Sequence, residues 1–194
     1  MNCYALLGGS FDPIHNGHLH IARQILELGA ASNVVFLPNA RHNFKQDKVL
    51  LDFANRFRLV QSVLEPGMEA WPDDSEGSGY TADLMKRLYA KHPDKDFLWV
   101  IGSDNIGGLE SWHDFAWLRD NLSFLIIPRH RYPLRESVLK MIRHQVLEIE
   151  PTYESSSQVR NRVWTGKSIH GLVPEAIEEE VVSLYKPIVK KHAH

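Results

Sequence analysis

Two histidines three residues apart, His15 and His18, stand behind a pair of glycines, Gly8 and Gly9, in the stretch LLGGSFDPIHNGHLHIARQILELG from Leu6 to Gly29. Imidazoles at that spacing share a face once a helix has begun, and either can donate a hydrogen bond to a phosphate oxygen as charge builds during transfer. Glycines lack a Cβ, so a phosphate can come close to the main-chain amides of Gly8, Gly9 and Ser10. The helix predicted from Gly17 adds unpaired amides and about half a positive charge at its amino end. Gly17, between the histidines, is expected to leave room for the ligand. These are the parts of a phosphate cradle, although an ordinary turn also uses Gly-Gly, Asp-Pro and Asn-Gly. A zinc pair lacks a cysteine or a third well-spaced ligand.

Other chemistries fit less well. GGSFDPIHNG is not G-x-G-x-x-G, which speaks against a dinucleotide-binding dehydrogenase. NRVWTGKS near the C-terminus imitates a phosphate-binding P-loop, but Asn161 stands where the first glycine belongs and a helix precedes it rather than a strand. In 194 residues, 22 Lys and Arg against 24 Asp and Glu leave a formal charge of −2, so no general basic field is available to hold nucleic acid. The lone cysteine, Cys3, has no intramolecular partner, and no basic leader or apolar run of about 20 residues occurs. A cytoplasmic protein without a membrane partner is expected. Oligomeric state is not legible, and a homo-oligomer stays open.

The elements that must position the histidines follow in order. CYALLGG is a short buried strand, and Leu19, Ile21, Ala22, Ile25, Leu26 and Leu28 recur near helical spacing until Gly29. NVVFLP is a second strand, LDFANRFRLVQSVLE a second helix with Asp52 near its start, and MEAWP a weak strand. A helix from about Tyr80 to Lys91 leads into DFLWVIG, the clearest strand. NLSFLIIP is a further strand after the amphipathic WHDFAWL, and QVLEIEP is expected as the last. SSSQVRNRVW and PEAIEEEVVSLY close the chain as helices, the second with Pro174 at a favoured first-turn position. Alternating strands and helices, several strands without polar alternation, predict a single-domain α/β fold with a doubly wound, mostly parallel, Rossmann-like sheet. The domain is expected to span 1–190, with its C-terminal helical part from about 154 and a frayed tail at 191–194. Ligands of such sheets bind at the carboxyl ends of the strands.

GGSFDPIHNGH resembles the signature of the nucleotidyltransferase superfamily that carries an H-x-G-H-type motif, whose fold is the nucleotidyltransferase α/β phosphodiesterase fold. Further blocks resemble bacterial nicotinate-nucleotide adenylyltransferases: GYTADLM at Gly79 to Met85, WVIGSDNIGGLESWHDFAWL at Trp99 to Leu118, and ESSSQVRNRV at Glu154 to Val163. The resemblance implies transfer of the adenylyl group of ATP to nicotinate mononucleotide, with magnesium carried mainly on the ATP phosphates. It implies that His15, His18, Lys45 and Arg160 are the catalytic set. ATP would meet Gly8, Gly9, Ser10, Phe11, His15, His18, Gly102, Asp104, Ser156 and Arg160. The mononucleotide would meet Ser10, Phe11, Lys45, Tyr80, Thr81, Asp83 and Trp112.

Each later block also has its own reading. Gly102 and Asp104 arrive at the same sheet edge as Gly8, where a carboxylate can accept ribose hydroxyls or cap the next helix. Trp112 offers a stacking surface for a pyridine ring, or a core side chain. Ser155 to Ser157 and Arg160 form a second anion site or ordinary caps and a solvated face. PRHRYPLR, Pro128 to Arg135, is a basic cluster that either assists the triphosphate or is a solvated loop. One block departs from the family: where PNxxPPHK is usual, this chain has PNARHNFKQ, keeping Pro38, Asn39 and Lys45 but with Phe44 in place of histidine. The polar, broken run from Pro38 to Leu50 has the character of a lid. The acid or amide form of the mononucleotide is not fixed by these blocks. Nicotinamide mononucleotide, phosphopantetheine, a cytidylyl donor and a nucleotide sensor without turnover are the alternatives.

Overall fold

A computed structural model of the chain describes residues 2–39 and 49–191, the last three by their backbone alone. Six strands, β1 (Cys3–Gly9), β2 (Asn33–Pro38), β3 (Met68–Ala70), β4 (Asp96–Gly102), β5 (Ser123–Ile127) and β6 (Arg143–Val146), form one sheet in the order β3-β2-β1-β4-β5-β6. Every neighbouring pair is parallel. The order reverses between β1 and β4, so Gly8 and Gly9 of one strand and Gly102 of the other end side by side at the switch point.

The strands read as apolar runs because both faces of the sheet are covered. Side chains alternate between two cores, as strand geometry requires. Ala5, Leu7, Val100 and Leu125 face helices α1 (Asn16–Glu27), α2 (Phe53–Gln61), α6 (Ser156–Trp164) and α7 (Glu178–Tyr185). Tyr4, Leu6, Trp99, Ile101 and Phe124 face α3 (Thr81–Lys91), α4 (Phe115–Asn121) and α5 (Glu136–Leu139). The C-terminal helices share the first core through Val159, Val163, Val181 and Tyr185, so they belong to the same domain as β1.

Some boundaries differ from those predicted. α2 stops at Gln61 rather than near Glu65, because the Ser62 hydroxyl turns back to donate to the Arg58 carbonyl and Glu65 is drawn to Arg23. The last strand runs from Arg143 to Val146, earlier than QVLEIEP suggested. It is an edge strand whose exposed Arg143, His144 and Gln145 carry no apolar signal, and after Leu147 donates to the Ile126 carbonyl the chain leaves the sheet. A 3₁₀ helix, Ser103–Ser111, follows β4 directly. A second, Glu175–Ile177, precedes α7, and Pro174 caps it instead of occupying its first turn. Helix α5 had no clear sequence signal. Among the described residues no helix is long and apolar enough to cross a membrane.

Candidate active site

Gly8 is exposed at the rim where β1 ends, and the chain then makes a turn with Phe11 in the left-handed region (φ 46°). A non-glycine residue held there costs about 1–2 kcal/mol per residue. Phe11 is kept in place by burial, its ring lying edge-on to Phe36 at 5.6 Å and to His18 at 4.9 Å. Two buried charged side chains fix the rest of the turn. Arg56, 1% exposed on α2, donates to the carbonyls of Ser10 (2.5 Å), Asn39 (2.7 Å) and Leu51 (3.0 Å). Asp12, also 1% exposed, accepts from the amides of Leu50 (2.9 Å) and Leu51 (3.2 Å) and from the Tyr185 hydroxyl (2.5 Å). Asp12 in turn faces Arg160 of α6, whose Nη1 lies 2.6 Å from its carbonyl and 3.7 Å from its carboxylate.

His15 is the N-cap residue of α1 and His18 is its third residue. Their rings stack with centroids 3.7 Å apart and planes 29° from parallel, but His15 is extended (φ −147°, ψ 170°) and lies outside the helix, so the pairing comes from the cap geometry rather than from the helical spacing that was expected. The backbone N–H of His15 donates to His18 Nδ1 at 3.2 Å. An Nδ1 that accepts has no proton of its own, which leaves the neutral His18 ring with its proton on Nε2. Burial lowers the pKa of both rings: His15 falls to about 4, aided by nearby Arg129, and His18 falls well below its ordinary value, aided by His15 and Arg129. Both imidazoles are therefore neutral at pH 7, and His18 Nε2–H is a neutral donor. Gly17 leaves room for something other than a ligand: a Cβ there would sit 3.0 Å from Thr152 Oγ1 and 3.1 Å from His15 Nδ1.

The other predicted residues fall into three groups. Ser156 Oγ donates to the Pro13 carbonyl (2.8 Å), and Arg160 reaches the same turn while its buried Nε has no partner among the described residues. Ser155 is the cap of α6, accepting from the Gln158 amide. These residues therefore both shape the turn and leave one cationic donor unsatisfied beside it. At the switch point Asp104 pairs with Arg129 (3.1 Å) above Gly102, where any Cβ would collide with both side chains. Asp104 does not cap the following helix; Gly102 holds that position. Further along, the Tyr80 ring stacks on His113 at 4.4 Å, and Asp83 lies 3.6 Å from His113 Nε2, so the Tyr80–Thr81–Asp83 segment and the Trp112 segment are brought together. Trp112 is half-buried against the second core. Lys45 and most of the expected lid, 40–48, lie outside the described residues.

Sequence reasoning did not single out Asp12, Arg56, Tyr185 or Arg129. Asp12 was absorbed into a turn-forming Asp-Pro, and Arg129 into a basic cluster. The one available signal for Arg56 was an arginine on the face of α2 that also carries the buried Leu59 and Val60.

The sequence model of the Cytidylyltransferase-like family matches residues 6–162. A probable nicotinate-nucleotide adenylyltransferase of Clostridium novyi is 31% identical over 195 residues, covering 93% of this chain and 98% of that protein. One of Geobacillus thermodenitrificans is 32% identical over 183 residues, covering 91% and 82%. Among solved structures, Plasmodium falciparum nicotinic acid mononucleotide adenylyltransferase complexed with NaAD superposes with a TM-score of 0.79 at 22% identity, covering 94% of this chain and 96% of that one. The same enzyme complexed with APC gives 0.76 at 20% identity, covering 95% and 98%. At those identities the likeness is one of fold.

Proposed function

From the fact that the chain belongs to the Cytidylyltransferase-like family and, within it, to the nicotinate-nucleotide adenylyltransferases, we infer that it transfers the adenylyl group of ATP to nicotinate mononucleotide, yielding the deamido dinucleotide and pyrophosphate in NAD biosynthesis. The observation that carries the reading is the stacked, neutral His15–His18 pair at the amino end of α1, beside exposed main chain at the sheet's switch point.

The nucleophile comes with the substrate. A mononucleotide phosphate is ionised at neutral pH, so the protein needs no serine, cysteine or general base, and its contribution is position and electrostatic stabilisation. His18 Nε2–H donates to an α-phosphate oxygen as charge grows there, and His15 holds the His18 ring in that orientation through its backbone N–H. The amides of Gly8, Gly9 and Ser10 face the phosphates, with Phe11 setting the turn. Arg160, whose Nε has no partner among the described residues, and Ser156 act on the triphosphate. Lys45 adds positive charge by its resemblance to the family's lysine. Gly102 lies at the adenosine half, and Asp104 beside it accepts ribose hydroxyls. Tyr80, Thr81, Asp83 and Trp112 border the pyridine ring.

Magnesium fits as the companion of ATP. Among the described residues no three His, Cys, Asp or Glu side chains converge, so the ion would take its ligands mainly from phosphate oxygens and water. When bound it would neutralise charge on the triphosphate and ease departure of pyrophosphate. A cytoplasmic location, where ATP and mononucleotides occur, goes with this activity.

The test is pyrophosphate release from ATP and magnesium with nicotinate mononucleotide, nicotinamide mononucleotide or phosphopantetheine offered in turn. Release with nicotinate mononucleotide at the highest kcat/KM is expected. A preference for another acceptor, or ATP binding without turnover, would overturn the assignment.

A further inference from the structure

Arg129 sits where β5 ends, one strand away from the histidines across β4. The base of its side chain is fixed. Its N–H donates to the buried Ser103 hydroxyl (2.9 Å), that hydroxyl donates to the Tyr132 carbonyl (2.7 Å), and Tyr132 N–H closes the turn onto the Arg129 carbonyl (2.9 Å). Among the described residues the far end is held at one point, Nε against Asp104 Oδ1 at 3.1 Å. An arginine–carboxylate pair that uses its full fork makes two parallel hydrogen bonds, and this one does not. Its terminal amino groups have no partner among the described residues, and the side chain is half-exposed. Gly102 lies directly beneath the pair, with no side chain to separate it from the rim. The charge of Arg129 is also felt by both imidazoles, which it helps to keep neutral.

We propose that Arg129 is a further polyphosphate-binding residue of this site, parked on Asp104 until a nucleoside triphosphate arrives and then turned to its phosphates. The inference rests on the adenylyl-transfer reading above. The exchange balances: ribose hydroxyls donate to the oxygens of Asp104 that Arg129 gives up, and the guanidinium fork gains phosphate oxygens with which it can pair bidentately. One cation thus serves two states. The empty rim never carries an uncompensated arginine beside the neutral histidines, and the occupied rim gains positive charge where pyrophosphate leaves.

The experiment compares wild type, Arg129→Gln and Arg129→Lys by calorimetric binding of ATP alone and by steady-state pyrophosphate release, each at a temperature where circular dichroism shows the variant folded. Arg129→Gln is expected to weaken ATP binding and raise KM for ATP by roughly tenfold or more, the range for a lost charge-assisted hydrogen bond. KM for nicotinate mononucleotide should stay within about twofold. Arg129→Lys should recover part of the loss, since it keeps the charge without the fork. ATP binding by Arg129→Gln within about twofold of wild type would overturn the proposal, as would a loss that falls on the mononucleotide instead. If wild type binds ATP in an Arg129-dependent way yet releases no pyrophosphate with any acceptor, the reaction reading fails and the role of Arg129 stands.

Discussion

At the scale of residues, the role proposed for the two histidines depends on their being uncharged. A neutral N–H aimed at the oxygen that gains charge strengthens as the reaction proceeds. His18→Ala is therefore expected to lower kcat by about 10²-fold or more with the fold retained, measured by steady-state turnover alongside a melting curve. The protonation state has its own test. His15 is displaced from 6.5 to about 4, so between those pH values the unfolded chain holds more protons than the folded one and stability falls as pH drops. Asp74 works in the opposite direction: burial raises it from 3.8 to about 6, and its contribution is present below 3.8 and lost as pH rises to about 6. The two offset each other in melting curves, so imidazole NMR is the measurement. In the free protein the His15 and His18 rings should show no titration near pH 6.5, and His15 should titrate near 4; a midpoint near 6.5 for either would mean that it carries a proton in a substantial fraction of molecules at working pH.

At the scale of elements, the site is a turn held from outside. Arg56 gives three donors to three carbonyls belonging to Ser10, Asn39 and Leu51, and so ties α2 to the phosphate turn and to both flanks of the 40–48 segment. Replacing it with methionine keeps the length and removes every donor. Arg56→Met is expected to cost about 3 kcal/mol or more in urea unfolding, because buried carbonyls left without donors lose their full solvation. A loss under about 1 kcal/mol would mean that the turn holds itself. Gly8 gives a second case: an added Cβ would lie 2.9 Å from the Trp99 ring, so Gly8→Ala should destabilise by about 1–3 kcal/mol through overpacking, and Trp99→Phe, which withdraws the ring edge, should recover part of it. The glycine that the sequence marks as a phosphate approach thus has a packing duty as well. The alternation of strands and helices and the helix start at the histidines were legible because apolar runs and helical spacing are local signals. Asp12 and Arg56, which are buried, and Arg129, which is not, were missed because the role of each is set by partners that lie far along the chain, up to 173 positions away for Asp12 and Tyr185.

At the scale of the whole molecule, that longest contact joins the C-terminal helix to the first turn of the site. Tyr185 is fully buried on α7, and its hydroxyl donates to Asp12 Oδ1 at 2.5 Å, while burial and the adjacent carboxylate push its own ionisation far up. Asp12 then has four claims on two oxygens: the amides of Leu50 and Leu51, the Tyr185 hydroxyl and the Arg160 guanidinium. The contact thus sets how strongly Arg160, the cation assigned to ATP, is drawn toward the protein's own carboxylate. In Tyr185→Phe the ring still fills the core, so the packing is kept and only the hydroxyl is lost. Stability should fall by about 1–2 kcal/mol, the worth of one buried hydrogen bond to a charged acceptor. Asp12, with one donor fewer, should hold Arg160 more tightly and leave it less available to phosphate. KM for ATP is therefore expected to rise a few-fold while KM for the mononucleotide holds, and steady-state kinetics run well below the melting transition separates the two effects. A variant with lowered stability and unchanged KM for ATP would make α7 a support for the fold with no hand in the site.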